Sequence, residues 1–369
     1  MPAHRTAWLA LGLSLALAGC TPPEPLKLAY LAGLSGSVAD LGDAGYAGVQ
    51  LAVSEINAAG GIGGRPLELL VRDDGQDPEQ ARAAVRELAA RGVVAIIGPM
   101  TTAMAHAILP VSEETGLVLV SPTATGSSLS GRDDLLLMVL SSTQHTARQS
   151  ADYNYGLGYL RIAAIYDTRN QSYAEDWLQS FRYALQARGG RLVTAIPFTS
   201  GQDASYVDAV NQLQGMSLDA IMYVANAVDT VRLVQAVRAQ GRRDASIGVT
   251  WSATEQLLEM GGRTVEEMST VQLFNRDDNS PRYQAFHASY RERFKSDPGF
   301  ASIATYDGAQ ALAQAMRQQA RGQTLKQALL ASGPYPGLQG EWSFDRNGDV
   351  VGKSSIAVVR RGRFVVAGE

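Results

Sequence analysis

This 369-residue chain has one cysteine and four histidines, and both scarcities exclude chemistry. Cys20 has no partner for an intrachain disulfide or a thiolate metal cluster. His4, His106, His145 and His287 are scattered, and none has a second histidine or a glutamate at metal-helix spacing. The G-x-S-x-G elbow, the S-x-x-K pair and the G-x-x-x-x-G-K-[ST] phosphate loop are all missing. No block of basic residues occurs, and a net charge of −4 argues against nucleic acid as a partner. Beyond the first twenty residues no apolar run is long enough to cross a membrane. The expectation is a protein that is not an enzyme and carries neither metal nor cofactor.

What is present begins with a leader. His4 and Arg5 precede an apolar run from Ala7 to Ala16, too short to span a bilayer, which reads as a signal peptide over residues 1–20. Leu17-Ala18-Gly19-Cys20 closes it and resembles the bacterial lipobox. That resemblance implies cleavage before Cys20, lipidation of its sulfur, and an exported, membrane-anchored lipoprotein facing the periplasm or the outer surface of the cell membrane. Residues 21–25 are polar and proline-rich, as expected of a tether. The remainder, roughly 345 residues, exceeds one ordinary core and predicts two domains. At 46% hydrophobic and 18% charged residues it can bury both.

From Leu26 to about Ala320, short apolar runs alternate with helical periodicity, which predicts an α/β protein with parallel sheets. Asp77-Pro78-Glu79-Gln80 reads as a capping box opening a helix that Gly92 ends, followed by the apolar strand Val93 to Ile97. The same grammar recurs at Leu117 to Ser121, Arg161 to Tyr166, Leu192 to Phe198, Ala220 to Val224 and Ile247 to Thr250. Gly60-Gly61-Ile62-Gly63-Gly64 lies between a helix and a strand and reads as a helix stop with a tight turn. After Gly337 the pattern becomes antiparallel, with Asn347-Gly348 marking a hairpin turn. Asp345, Asn347 and Asp349 have calcium-loop spacing, but Val350 stands where such a loop needs glycine, so a plain turn is expected. Adjacent Asp73 and Asp74 would point to opposite sides and are expected in a solvated loop. His106 reads as a packed or surface histidine.

In open parallel sheets, ligands sit beyond the carboxyl ends of the strands. Three uncharged, hydroxyl-rich loops fall there: Gly33-Leu34-Ser35-Gly36, Gly98-Pro99-Met100-Thr101-Thr102 and Ser121-Pro122-Thr123-Ala124-Thr125. Thr101 or Thr102 can cap the following helix, whose positive end attracts a carboxylate. The alternative is that these threonines only cap helices and satisfy turns.

Several segments stand in a telling order: Leu34-Ser35-Gly36 through Leu41-Gly42-Asp43, Glu55-Ile56-Asn57-Ala58-Ala59-Gly60-Gly61-Ile62, Asp73-Asp74 with Asp77-Pro78, Ile97-Gly98, Ser121 to Thr125, Tyr306-Asp307-Gly308-Ala309 and Phe344 to Asp349. Together they resemble the branched-chain amino-acid-binding (Leu/Ile/Val-type) family of ABC-transporter solute-binding lipoproteins, a type I periplasmic binding fold. The resemblance implies two doubly wound parallel-sheet lobes joined by three crossovers, with a ligand cleft between them. Lobe 1 would comprise residues 26–141 plus 277–336, and lobe 2 residues 142–276 plus 337–369. It implies a receptor that captures a small molecule (an amino acid, an amide or an apolar or aromatic carboxylate) and delivers it to an ABC permease. A lipoprotein sensor or cell-envelope regulator using the same fold to contact a protein is the alternative. Carried over by position, Thr102 and Thr125, with Thr101 beside them, would hold the ligand carboxylate, and Thr123 would offer its backbone carbonyl. Leu41 would line the wall, Tyr173 would cover the ligand, and Asn226 and Trp251 would face it from the second lobe. One departure stands out. The amino-acid-binding pattern places an acid near Trp251, and Ser246 to Thr254 contains none; Glu255 is the nearest.

Overall fold

The computed structural model describes residues 23–350, 352 and 354–367. The signal peptide and Cys20 lie outside these residues. Two sheets organise the chain. The first has the order β2-β1-β3-β4-β5, from strands Leu26–Ala32 (β1), Leu67–Asp73 (β2), Ala95–Ile97 (β3), Val118–Ser121 (β4) and Leu136–Met138 (β5), all parallel. The second has the order β14-β13-β10-β9-β8-β6-β7. Its parallel part comprises Arg161–Asp167 (β6), Arg191–Phe198 (β7), Ala220–Val224 (β8), Ala245–Gly248 (β9) and Ser269–Gln272 (β10). Ser355–Arg360 (β13) and Arg363–Val366 (β14) extend it antiparallel. A small hairpin, Tyr335–Gly337 (β11) and Gly340–Trp342 (β12), stands apart from both.

Helices form where the sequence supplies caps and a buried face. Ala39–Ala58 (α1) follows β1, Pro78–Ala90 (α2) follows β2, and Thr102–Thr115 (α3) follows β3. Ala81, Ala84, Val85 and Leu88 bury one stripe of α2, the helical spacing that makes an amphipathic segment settle on a sheet. Asp77 accepts the N–H groups of Glu79 and Gln80. The Gln80 amide, however, turns to the carbonyl of Asp73 (2.8 Å) rather than back to the cap, so only half of the expected box forms. In the second lobe Thr143–Gly156 (α4), Gln171–Gln186 (α5), Asp203–Asn211 (α6), Ala227–Ala239 (α7) and Glu255–Gly261 (α8) alternate with the strands. Pro281–Phe294 (α9) and Phe300–Gln318 (α10) return to the first lobe. There Ser302 of α10 brings its backbone against Gly48 of α1, where a Cβ would overlap the Ser302 carbonyl. Leu325–Ala331 (α11) leads into β11.

The chain therefore passes between the sheets three times: after β5, after β10, and between β12 and β13. Side chains tie these passages together. Ser141 Oγ accepts the N–H of Gly352 (2.6 Å). The Asn275 N–H donates to Gln339 Oε1 (2.9 Å), and the Gln339 amide donates back to the Asn275 carbonyl (2.5 Å). Asp307, in α10, accepts the N–H of Leu338 in the turn of the small hairpin (3.0 Å). Burial pushes the Asp307 carboxyl up to about 7, against that N–H.

Two local expectations are corrected. Asn347-Gly348 closes no hairpin, because β12 pairs with β11 and β13 pairs with β10 and β14. Only Gly348 of the two has positive φ, whereas a tight hairpin needs it at both central positions. Arg361 (φ 53°) and Gly362 (φ 70°) meet that need between β13 and β14. The Asp345 loop is the plain turn expected, its Oδ1 accepting the N–H groups of Asn347, Gly348 and Asp349. Asp74 is not solvated: it is wholly buried, and its Oδ1 accepts both the backbone and side-chain N–H of Gln76. Asp73 instead takes the N–H groups of Leu34 and Gly75. Gly60 to Gly64 form the predicted stop, with four of the five at positive φ.

Candidate functional site

One cavity lies where the carboxyl ends of the two parallel sheets face each other. In the first sheet, the chain order reverses between β1 and β3; in the second, between β6 and β8. Loops diverge at such points and leave a crevice. Its first-lobe wall is Leu41 at the start of α1, Met100, Thr101 and Thr102 after β3, Thr123 and Thr125 after β4, with Leu140 and Phe300. Its second-lobe wall is Asn170 and Tyr173 at the start of α5, Thr250 and Trp251 after β9, and Leu273 after β10. About 340 Å³ of space, part of it open to solvent, lies between the walls.

Backbone requirements fix the first-lobe loop. Gly98 has φ +130°, and a Cβ there would overlap the carbonyl of Leu31, so the chain can turn at the end of β3 only with glycine. Thr101 caps α3, its Oγ1 facing the Met104 N–H at 3.5 Å, and its hydroxyl donates to Gln76 Oε1 (3.1 Å). Buried Asp74 thus braces Gln76, and Gln76 braces the cap. The four threonines differ in what they have left to give. The Thr123 hydroxyl is spent on the Met100 carbonyl (2.5 Å). Thr125 shares its hydroxyl with Thr143 (3.1 Å). Thr102 Oγ1 accepts the Gly126 N–H (3.2 Å), which leaves its own proton for an acceptor. That proton sits at the positive end of α3.

On the opposite wall, the Tyr173 hydroxyl and Thr250 Oγ1 meet at 3.0 Å, and the Tyr173 ring meets Trp251 edge-on at 5.7 Å. Burial pushes the Tyr173 phenol well above its ordinary range, so it stays neutral. None of the thirteen residues lining the cavity is charged at neutral pH. Glu255 does not supply the missing acid. It is engaged by Arg276 (2.8 Å) and lines a neighbouring acidic cavity together with Asp40, Asp43, Glu259 and Asp297.

Seven of the eight residues expected at the ligand line the cavity; Asn226 does not. Its amide closes on Asp229 twice, accepting the backbone N–H (2.9 Å) and donating to Oδ2 (2.7 Å), so it caps α7 and faces inward. His106 is half-buried beside Ser128 Oγ (2.8 Å), away from the cavity. Asn170 and Phe300 escaped sequence reading. The available signals were an Asn at a strand-to-helix junction and an aromatic directly after Asp297-Pro298-Gly299.

Beside the first passage, Thr125 bonds Thr143 and the Gln144 N–H donates to Ser127 Oγ (3.2 Å); three further hydrogen bonds cross the cleft around this cavity. The Ala103 N–H donates to Asn170 Oδ1 (3.2 Å), the Ser127 N–H to Asp176 Oδ2 (2.7 Å), and the Thr254 hydroxyl to Asp40 Oδ2 (3.3 Å). Burial raises the Asp176 carboxyl, while the Ser127 N–H and hydroxyl pull it down. Burial likewise pushes Asp40 up to about 6.

Two parallel α/β lobes with an uncharged cavity at their facing strand ends define a bilobal solute receptor. The family model described as "Periplasmic binding protein" matches residues 25–363, and the chain belongs to that family. It is 26% identical to the Leu/Ile/Val-binding protein of Escherichia coli over 352 residues, 94% of each chain. In fold it is similar to the branched-chain amino acid transporter substrate-binding protein of Streptococcus pneumoniae in complex with isoleucine (TM-score 0.84, 24% identity, 92% of this chain and 98% of that one). It is also similar to an R. palustris ABC-transporter solute-binding protein in complex with benzoate (TM-score 0.84, 19% identity, 93% and 96%). The chain is thus a non-catalytic, extracytoplasmic solute-binding protein of an ABC transporter, which delivers a small ligand to a membrane permease.

Proposed function

We propose that the ligand is a small apolar or aromatic carboxylate rather than a zwitterionic amino acid. The observation that supports this is the cavity's chemistry: hydroxyl and amide donors, apolar side chains and no charged residue. An ammonium buried there would lack a counter-charge, a loss of several kcal/mol on the order of other unpaired buried charges. A carboxylate would meet the Thr102 proton and the positive end of α3, with Thr101, Thr123 and Thr125 shaping the pocket around it. Leu41, Tyr173 and Trp251 would enclose its apolar body. Relatives of both kinds exist, since one similar structure holds isoleucine and another benzoate.

We further take residues 26–141 with 277–336 as one moving lobe and 142–276 with the chain from 337 onward as the other, with lipidated Cys20 as anchor. A thermal-shift screen of carboxylates, amides and amino acids tests the ligand class. A ligand at 100 times its Kd should stabilise the protein by about 2.7 kcal/mol. Stabilisation by leucine or isoleucine with none by benzoate or aliphatic acids would refute the carboxylate reading.

A further inference from the structure

The second-lobe wall holds one buried hydrogen-bond donor without a partner and, beside it, a second donor in the Asn170 amide. Trp251 is 6% exposed, and its indole N–H is buried and without a partner. It is the only unpartnered buried side-chain polar atom among the described residues that line the cavity. Asn170 is 4% exposed. Its Oδ1 is fixed as an acceptor by the Ala103 N–H across the cleft, which assigns the other end of the amide as NH2. Unlike the indole N–H, that NH2 is not one of the buried atoms left without a partner, and its place on the wall lets it meet a ligand. The remaining polar groups of this wall, the Tyr173 and Thr250 hydroxyls, bond each other. Buried donors are normally satisfied, and an exception calls for an explanation.

We infer that the ligand carries a second acceptor, a carbonyl-type oxygen directed at the second lobe, and that the Trp251 indole and the Asn170 amide select for it. This rests on the carboxylate reading of the same cavity and extends it. A plain hydrocarbon acid would satisfy the first lobe and leave the Trp251 indole N–H unpaired. An amino acid would present donors to donors. An oxo-substituted acid satisfies both walls. Asn170 adds a link to closure, because the amide that meets the ligand also takes the α3 N–H of the other lobe. Occupying the cavity and shutting it then involve one side chain.

Matched acids read the effect. Calorimetric titration of the purified protein would compare α-ketoisocaproate, isocaproate and leucine, which place an acceptor, a hydrogen or an ammonium on one carbon. Levulinate against valerate moves the acceptor further along the chain. In at least one pair, the oxo acid should bind about tenfold more tightly than its alkyl parent, the value of satisfying one buried donor. Trp251→Phe keeps the ring and removes the N–H. Because it also trims the apolar wall it should weaken both acids, but the oxo acid more, erasing most of that preference. Equal binding of oxo and alkyl acids by the wild-type protein, or equal loss of both in Trp251→Phe, overturns the inference. The wild-type comparison stands even if the variant melts early. If no acid binds and leucine does, it is the carboxylate reading that fails; if the acids bind without oxo preference, only the second acceptor is refuted.

Discussion

Asp176 offers a direct test of how closure is held. It reaches from α5 of the second lobe to the Ser127 N–H in the loop after β4 (2.7 Å), a bond between the two lobes. Replacing it by alanine leaves each lobe's core intact, since Asp176 lies among the half-buried residues of its helix rather than in the packed clusters. A hydrogen bond to a charged group contributes about 1.5–3 kcal/mol. On opening, both partners are rehydrated, so the lower end of that range applies. The closed state should lose about 1.5 kcal/mol, and apparent Kd should rise severalfold, up to about tenfold, as the binding-competent fraction falls. Asp176→Asn keeps an acceptor oxygen without the charge and should fall between the two. Calorimetry with a carboxylate that shifts the melting temperature gives Kd, and small-angle scattering of the unliganded variant should show a larger radius of gyration. An Asp176→Ala variant that binds within twofold of wild type, with unchanged scattering, would refute the latch.

Three further outcomes follow from the geometry. Thr102→Val preserves shape but removes the free hydroxyl proton, and should weaken a carboxylate ligand by about 1.5–3 kcal/mol in titration while leaving its amide analogue less affected. Asp307→Asn should flatten the pH dependence of stability. Burial holds the folded carboxyl up at about 7, well above the ordinary carboxylate range, so the folded state keeps its proton longer and wild-type stability falls as pH rises through this window. The cost, at most about 4 kcal/mol, is fully present above the folded value and absent below the unfolded one; chemical denaturation at several pH values reads the difference. Cys20→Ser should move the protein from the membrane fraction to the soluble extract of fractionated cells, and retention in the membrane would refute lipid anchoring.

Much of this was legible in advance because it depends on local rules. Asp77-Pro78 opens a helix wherever it stands before a periodic apolar stripe, and Ala220 to Val224 is a strand on its own composition. The hydroxyl-rich loops were found from strand-end position alone. What escaped was long-range pairing. Tyr335–Gly337 and Gly340–Trp342 are too short to show alternation, so the hairpin was assigned to Asn347-Gly348 on turn chemistry while the true partners were set by contact with α10. Asn226 and Asn170 both follow second-lobe strands, yet one closes on its own helix and the other crosses the cleft. Asp74 looked solvated by residue type, and only the fold reveals that it props Gln76 beneath Thr101.

The three interlobe passages lie side by side and are stitched by Ser141 to Gly352 and by Asn275 to Gln339. Segments crossing in alternating directions and joined in this way act as a ribbon, which bends across its width more readily than it twists or shears. Motion of the lobes is thereby reduced to one angle. Substitutions in the ribbon should rescale affinity for every ligand by the same factor, because they change how often the cleft is shut and nothing about what it holds. Substitutions in the walls should reorder ligands. Gain and selectivity are in this way set by different residues, and the permease is offered a single coordinate to read: how far the ribbon has bent.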